Sequence, residues 1–282
     1  MRPAYDLRVV PISSSMLMVE LAREHAPCRM YCRFCPRTAN GDPRDLPPPS
    51  DEDQARVLRD FRRLLETSDA TELFLWSDDL LRYPGLDDLL DAARGLRLHV
   101  VTPGLELADR AFAERFVGRD LRFDLTVHAL DPETFTAMCG NPDAHGLVMA
   151  AIDNLRALGV PHQLAIVVTD VNVHALADTL LGMRARWGAE RVYVRVFYPD
   201  ALHLPAGYER QFPSFDAVME QLERAGRLGE APAVFLSNVP PCQVDLDRLD
   251  RPQVFLTPHF NAFRAPDLPA CAACPAADVC PR

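Results

Sequence analysis

At 282 residues, 48% apolar and 25% charged, the chain can bury one full α/β domain with something small appended. A formal charge of −10 argues against a large nucleic-acid surface, where affinity comes from neutralising phosphates, and all 30 basic residues are arginine, which excludes chemistry through a lysine Schiff base. No uncharged apolar run nears the ~18 residues of a membrane span and the start MRPAYDLR is no secretory signal, so a cytoplasmic protein with no membrane partner is expected, its eight cysteines kept as thiols or metal ligands.

Taken in chain order, apolar strand-like runs fall at 16–21, 73–76, 98–102, 123–127, 163–168 and 192–197. Between the first two, Ser50-Asp-Glu-Asp gives a capping-box-like start to a helix carrying Val57, Leu58, Phe61, Leu64 and Leu65 at helical spacing. A second helix is predicted over 145–158, with Leu147, Val148, Ala151, Ile152 and Leu155 on one stripe and Gly159 as its stop. The alternation points to βαβ units around a parallel sheet. From about Asp200 the rhythm gives way to a proline-rich, irregular pattern, which sets expected domains at 1–199 and 200–282.

After the first run comes Cys28-x3-Cys32-x2-Cys35, in CRMYCRFC. Three thiolates this close in a loop can hold three corners of an iron-sulfur cube and leave the fourth iron open to a small molecule. Zinc fits less well, since structural zinc takes four ligands in two short pairs, and an odd trio suits disulfides badly. The motif resembles that of the radical S-adenosylmethionine (SAM) enzymes, and the resemblance extends from about Met16 to Pro199. It implies an α/β fold, a partial (β/α)6 TIM-like barrel with catalytic groups at the C-terminal strand ends. It also implies a 4Fe-4S cluster on Cys28, Cys32 and Cys35 that binds SAM and cleaves it to a 5′-deoxyadenosyl radical, with Phe34 near the adenine.

The resemblance carries over to further positions. Ser77-Asp78-Asp79, in LWSDDLLRYPGL, stands where the family has Gly-Gly-Glu receiving the SAM ammonium, and Thr102-Pro103-Gly104 resembles its Thr-Asn-Gly turn. Thr126, in LTVHALDPE, holds the place of a ribose-contacting serine, and His128, two residues on, faces the same side of the strand, toward SAM or substrate. Asn172, in TDVNVHAL, occupies a frequent polar SAM contact, and Arg195 and Tyr198 complete the candidates for the SAM carboxylate or substrate. Cys139, in MCGNP, reads as a small buried residue, with a hydrogen-donating or crosslinking thiol as the alternative.

At the far end, Cys271-x2-Cys274-x5-Cys280 together with Cys242, in NVPPCQ, supplies four ligands and resembles the twitch domain, a shorter relative of SPASM that holds an auxiliary 4Fe-4S cluster. Zinc is the competing occupant of such a four-cysteine set, and whether Cys242 completes the cube stays open. The expected activity is oxidative: a hydrogen is taken from substrate and the auxiliary cluster accepts or relays an electron, with flavodoxin or ferredoxin as reductant. Twitch and SPASM relatives most often modify ribosomally made peptides, although about 27 residues ahead of the motif are too few for a fused leader-recognition domain. A small-molecule dehydrogenase or cyclase is the second expectation. A noncatalytic iron-sulfur or zinc protein is the third, because Ser77-Asp78-Asp79 in place of Gly-Gly-Glu would weaken SAM binding.

Overall fold

The computed structural model describes residues 6–13, 15–22, 28–35, 49–77, 80–196, 212–228, 230–237, 239, 254–256 and 273. The chain divides into two units, Met1–Tyr31 with Arg37–Leu125 and Asn141–Gln163, and Cys32–Pro36 with Thr126–Gly140 and Leu164–Arg282. In the first, β1 (Asp6–Ser13) runs antiparallel to β2 (Met16–Ala22). Then β3 (Glu72–Trp76), β4 (Arg97–Thr102) and β5 (Leu121–Thr126) add in parallel, with helices α1 (Asp51–Glu66), α2 (Leu86–Ala92) and α3 (Arg110–Glu114) as crossovers. Helix α5 (Ala144–Leu158) also belongs here, ended by Gly159 at φ 67° as expected. Ser50 caps α1 as its sequence foretold, its hydroxyl accepting the Asp53 amide at 3.1 Å.

The second unit holds α4 (Pro132–Met138), β6 (His162–Val168), α6 (Leu176–Trp187), β7 (Arg191–Val196), α7 (Phe215–Arg227), β8 (Ala233–Ser237) and β9 (Val254–Leu256). Strands β6 to β9 pair in parallel. Within each unit pairing follows chain order, the open α/β arrangement expected from the alternating pattern. Three strands escape the sequence reading. Arg8 and Pro11 interrupt β1, which pairs with β2 alone and so tolerates a proline. The parallel βα rhythm continues beyond 200 through α7 into β8 and β9, short strands embedded in proline-rich sequence. Among the described residues no helix is long and apolar enough to cross a membrane.

Side chains alternate along each strand, and within each unit the two faces of its strands differ in chemistry. On one lie Leu17, Val19, Leu21, Leu73, Leu75, Leu98, Val100, Phe123 and Leu125 in the first unit and Ile166, Val168, Val192, Val194, Val234 and Leu236 in the second, all buried. Full burial of each such side chain contributes ~1.5–3 kcal/mol, so this face supplies the core. The other face is mixed. In the first unit Glu20, Trp76, Val101 and Asp124 stand in register across β2 to β5, and in the second Val167, Arg195 and Ser237 do so across β6 to β8.

Candidate functional site

The cysteine loop is two tight turns in succession. The Tyr31 amide donates to the Cys28 carbonyl at 3.0 Å, and the Cys35 amide donates to the Cys32 carbonyl at 3.0 Å. Tyr31 takes a left-handed φ of 51°, a costly conformation for a non-glycine residue and one that turns the chain sharply between Cys28 and Cys32. All three cysteines are half-buried, whereas Cys139 is buried. The Met30 amide donates to Cys28 Sγ at 3.5 Å. In the first unit Asn141 Nδ2 donates to the Arg29 carbonyl at 2.9 Å, and the Arg29 guanidinium pairs with Glu106. In the second the Arg33 amide donates to the Met138 carbonyl at 2.9 Å, and Cys32 and Cys139 form an isolated antiparallel bridge.

That bridge joins residues the sequence presents separately. Cys32 Sγ lies 3.4 Å from His128 Nε2 and 3.9 Å from Cys139 Sγ. His128 is buried at the end of β5 and Cys139 is buried at the C-cap of α4. Phe34 meets the His128 ring edge-on at 5.2 Å, and Phe135 lies 5.7 Å away. The Cys139 thiol as hydrogen-bond partner, with burial adding to it, pushes the Cys32 thiol well above its ordinary pKa, and His128 opposes both. Binding to a metal reverses this, because coordination deprotonates a thiol outright.

The other candidates take several forms. Asn172 is buried, its Nδ2 donating to the His128 carbonyl at 2.8 Å and the Val167 carbonyl at 2.9 Å, and its Oδ1 accepting the Thr169 amide at 2.8 Å. The Thr102 hydroxyl accepts the Gly104 amide at 3.1 Å, so this residue builds its turn. Ser77 is buried and Thr126 half-buried. Arg195 keeps a solvent-accessible side chain although surrounding protein lowers its pKa by burial; with water still in reach the guanidinium stays charged. Asp78, Asp79, Tyr198, Cys242, Cys271, Cys274 and Cys280 lie outside the described residues.

A polar network in the first unit was missed from sequence. His99, buried on β4, stacks on Phe74 at 4.2 Å and meets Glu72 through Nε2 at 2.5 Å, with Asp124 at 3.7 Å from Nδ1. Glu20, buried on β2, shares the mixed face with Asp124. Period-two alternation within β2, β4 and β5 was the available signal, since it singles out the charged residues inside otherwise apolar strands.

Comparison with known proteins gives this arrangement its class. The radical SAM superfamily matches residues 27–181, more than half of the chain and inclusive of the cysteine loop, and the chain belongs to that superfamily. No curated protein matches it. Among solved structures it is similar to Streptococcus suis SuiB, at 15% identity and TM-score 0.55 over 74% of this chain and 46% of that one. It is also similar to anSMEcpe with bound AdoMet and the Cp18Cys peptide, at 13% identity and TM-score 0.59 over 95% and 87%. TYW1 with a lysine-pyruvate adduct follows at 13% identity and TM-score 0.51 over 76% and 74%. The chain spans less than half the length of the SuiB structures it matches.

The donors present fit the cluster of this superfamily. Three half-buried thiols share one loop, and one already accepts a backbone N–H. SAM and one 4Fe-4S cluster are thus the cofactors of the class to which the chain belongs.

Proposed function

We propose that this enzyme carries out an oxidative modification of a ribosomally made peptide, with a second 4Fe-4S cluster held by Cys242, Cys271, Cys274 and Cys280 in the C-terminal region over 200–282, which also contributes β8 and β9. The observation that carries the radical chemistry is the three-thiol loop at Cys28, Cys32 and Cys35 inside the matched span. A peptide substrate is supported by fold likeness to SuiB, one of whose structures is bound to the precursor peptide SuiA, and to anSMEcpe bound to a peptide.

A cluster on Cys28, Cys32 and Cys35 supplies, when bound, one electron to the sulfonium of SAM and so the radical that begins chemistry on substrate. The chain's own residues bind and aim. In this reading Asp78 and Asp79 accept hydrogen bonds from the SAM ammonium, with Ser77 beside them, and the Thr126 hydroxyl bonds the ribose. Asn172 fixes the segment that follows Thr126 by holding the His128 carbonyl. Phe34 packs by the adenine, and Arg195 and Tyr198 meet the SAM carboxylate or the substrate. A flavodoxin- or ferredoxin-like protein delivers the electron, in the cytoplasm.

Anaerobic reconstitution followed by dithionite and SAM tests this. The parent should release 5′-deoxyadenosine and Cys32→Ala should not; a cluster-loaded parent that releases none overturns the enzymatic reading. Two cubes require about eight irons per chain. About four irons with a zinc would overturn the second cluster and leave the first standing. A precursor peptide encoded beside the gene, changed in mass by the enzyme, supports the peptide assignment, and turnover confined to small molecules refutes it.

A further inference from the structure

We infer that Cys32, His128 and Cys139 form a mononuclear site for a thiophilic divalent ion of the zinc type, in the chain that carries no cluster. Zinc bonds sulfur at about 2.3 Å and imidazole nitrogen at about 2.0–2.1 Å, so a tetrahedral centre sets its S···S edge at about 3.8 Å and its S···N edge at about 3.6 Å. Here the Cys32–Cys139 sulfurs are 3.9 Å apart and His128 Nε2 is 3.4 Å from Cys32 Sγ. The three ligand atoms all lie within 4.8 Å of one another. The two edges at Cys32 thus match within a few tenths of an ångström, and the third, between His128 and Cys139, closes with a movement of at most about 1 Å. Two thiolates and a neutral imidazole balance a divalent charge, which makes the ion tolerable beside two buried ligands, and a fourth corner is left for water or an external thiol.

The backbone holds each donor independently. Asn172 fixes the His128 peptide, the Cys139 amide donates to the Phe135 carbonyl at 2.9 Å, and the Arg33 amide ties the cysteine loop to Met138. His128 itself points to a ligand. It is 2% exposed, its Nδ1 has no hydrogen-bond partner among the described residues, and the one polar contact of its ring there is a sulfur at Nε2. A histidine kept only for packing would leave both ring nitrogens poorly satisfied, a costly state in a core. Ligation gives Nε2 a strong partner. Because one Cys32 sulfur cannot serve this ion and a cube at once, the two occupants exclude each other; that exclusion rests on the cluster assignment above, and the site itself does not.

The test uses the full chain, prepared metal-free with reductant and without oxygen, and titrated with Co2+. Thiolate-to-cobalt charge transfer and tetrahedral d–d bands should appear, and Cys139→Ser and His128→Phe should each bind one equivalent fewer than the parent. That equivalent should persist in Cys28→Ser/Cys35→Ser, where one thiolate of the loop remains and no cube can form. Failure there overturns the ion site alone, whereas failure of the radical chemistry is read from 5′-deoxyadenosine in the parent. Cadmium-113 NMR of Cys28→Ser/Cys35→Ser needs no change at Cys139 or His128 and so is independent of whether those variants fold. A resonance of two-sulfur, one-nitrogen ligation is expected, and resonances of four-sulfur ligation only, or equal cobalt stoichiometry in parent and variants, refute the site.

Discussion

Asn172 closes on the peptide of His128: its Nδ2 donates 2.8 Å to that carbonyl and 2.9 Å to the carbonyl of Val167, while its Oδ1 takes the Thr169 amide. Three backbone groups at the ends of β5 and β6 thus depend on one buried amide. A buried group left without its partner costs ~1–3 kcal/mol. Asn172→Ala should therefore lower stability by about 3 kcal/mol in urea unfolding, with Asn172→Asp intermediate or worse because it keeps the acceptor but adds a buried charge. A loss under about 0.5 kcal/mol, ordinary for a surface change, would show that the clamp contributes little.

Two glycines separate backbone strain from crowding. Gly159 has φ 67° and nothing within 4 Å of an added Cβ, whereas Gly104 has φ 77° and a Cβ there would sit 2.4 Å from Leu125 Cδ2. Gly159→Ala should cost ~1–2 kcal/mol from the left-handed conformation alone. Gly104→Ala should cost more, by a further ~1–3 kcal/mol of overpacking, and Leu125→Ala in the same chain should recover part of that difference. Equal losses at the two positions would mean Leu125 moves aside freely.

Ser50 both caps α1 and holds Asp53, donating to its carboxylate at 2.8 Å. The Ser50 hydrogen bond leads in drawing the Asp53 pKa below its ordinary value, with Arg56 assisting. A lowered folded-state pKa gives stability that is present at neutral pH and lost as pH falls through the acidic range. Ser50→Ala should cost ~1 kcal/mol near neutrality, and the gap from the parent should narrow in acid. Thermal melts at a series of pH values check this, and a gap that widens as pH falls would contradict it.

Thr126 is half-buried on β5. If its hydroxyl bonds the SAM ribose, Thr126→Val should weaken SAM binding by up to about tenfold, the equivalent of one hydrogen bond at ~0.5–1.5 kcal/mol, while Thr126→Ser keeps most of it. Equilibrium binding of SAM to reconstituted protein reads the effect, and an unchanged affinity in Thr126→Val removes the residue from the SAM pocket.

Strands β2 to β7 and helices α1 and α5 were legible because each carries its own local signal, a short β-rich run or a 3.6-residue stripe closed by Ser50 or Gly159. Helix α7 has the same kind of stripe, with Ser214 accepting the Ala217 amide at 3.1 Å, yet the prolines around it masked the pattern. In the site, the cysteine loop is readable because its ligands are neighbours in sequence. The meeting of Cys32 with His128 and Cys139 is not, since these partners lie 96 and 107 positions away and only the return of β5 and α4 brings them together. Asn172 likewise reads as a free polar group until its three backbone partners are known.

The segregation of each unit's strands into an aliphatic face and a mixed one has a bearing on which substitutions the fold tolerates. Trp76, Asp124, Arg195 and Ser237 alternate with the residues that form the interior, so replacing them leaves Leu75, Phe123, Val194 and Leu236 in place. Mutational drift along these strands would leave its trace in every second residue, within the first unit at positions such as Trp76 and Asp124 and within the second at positions such as Ser237.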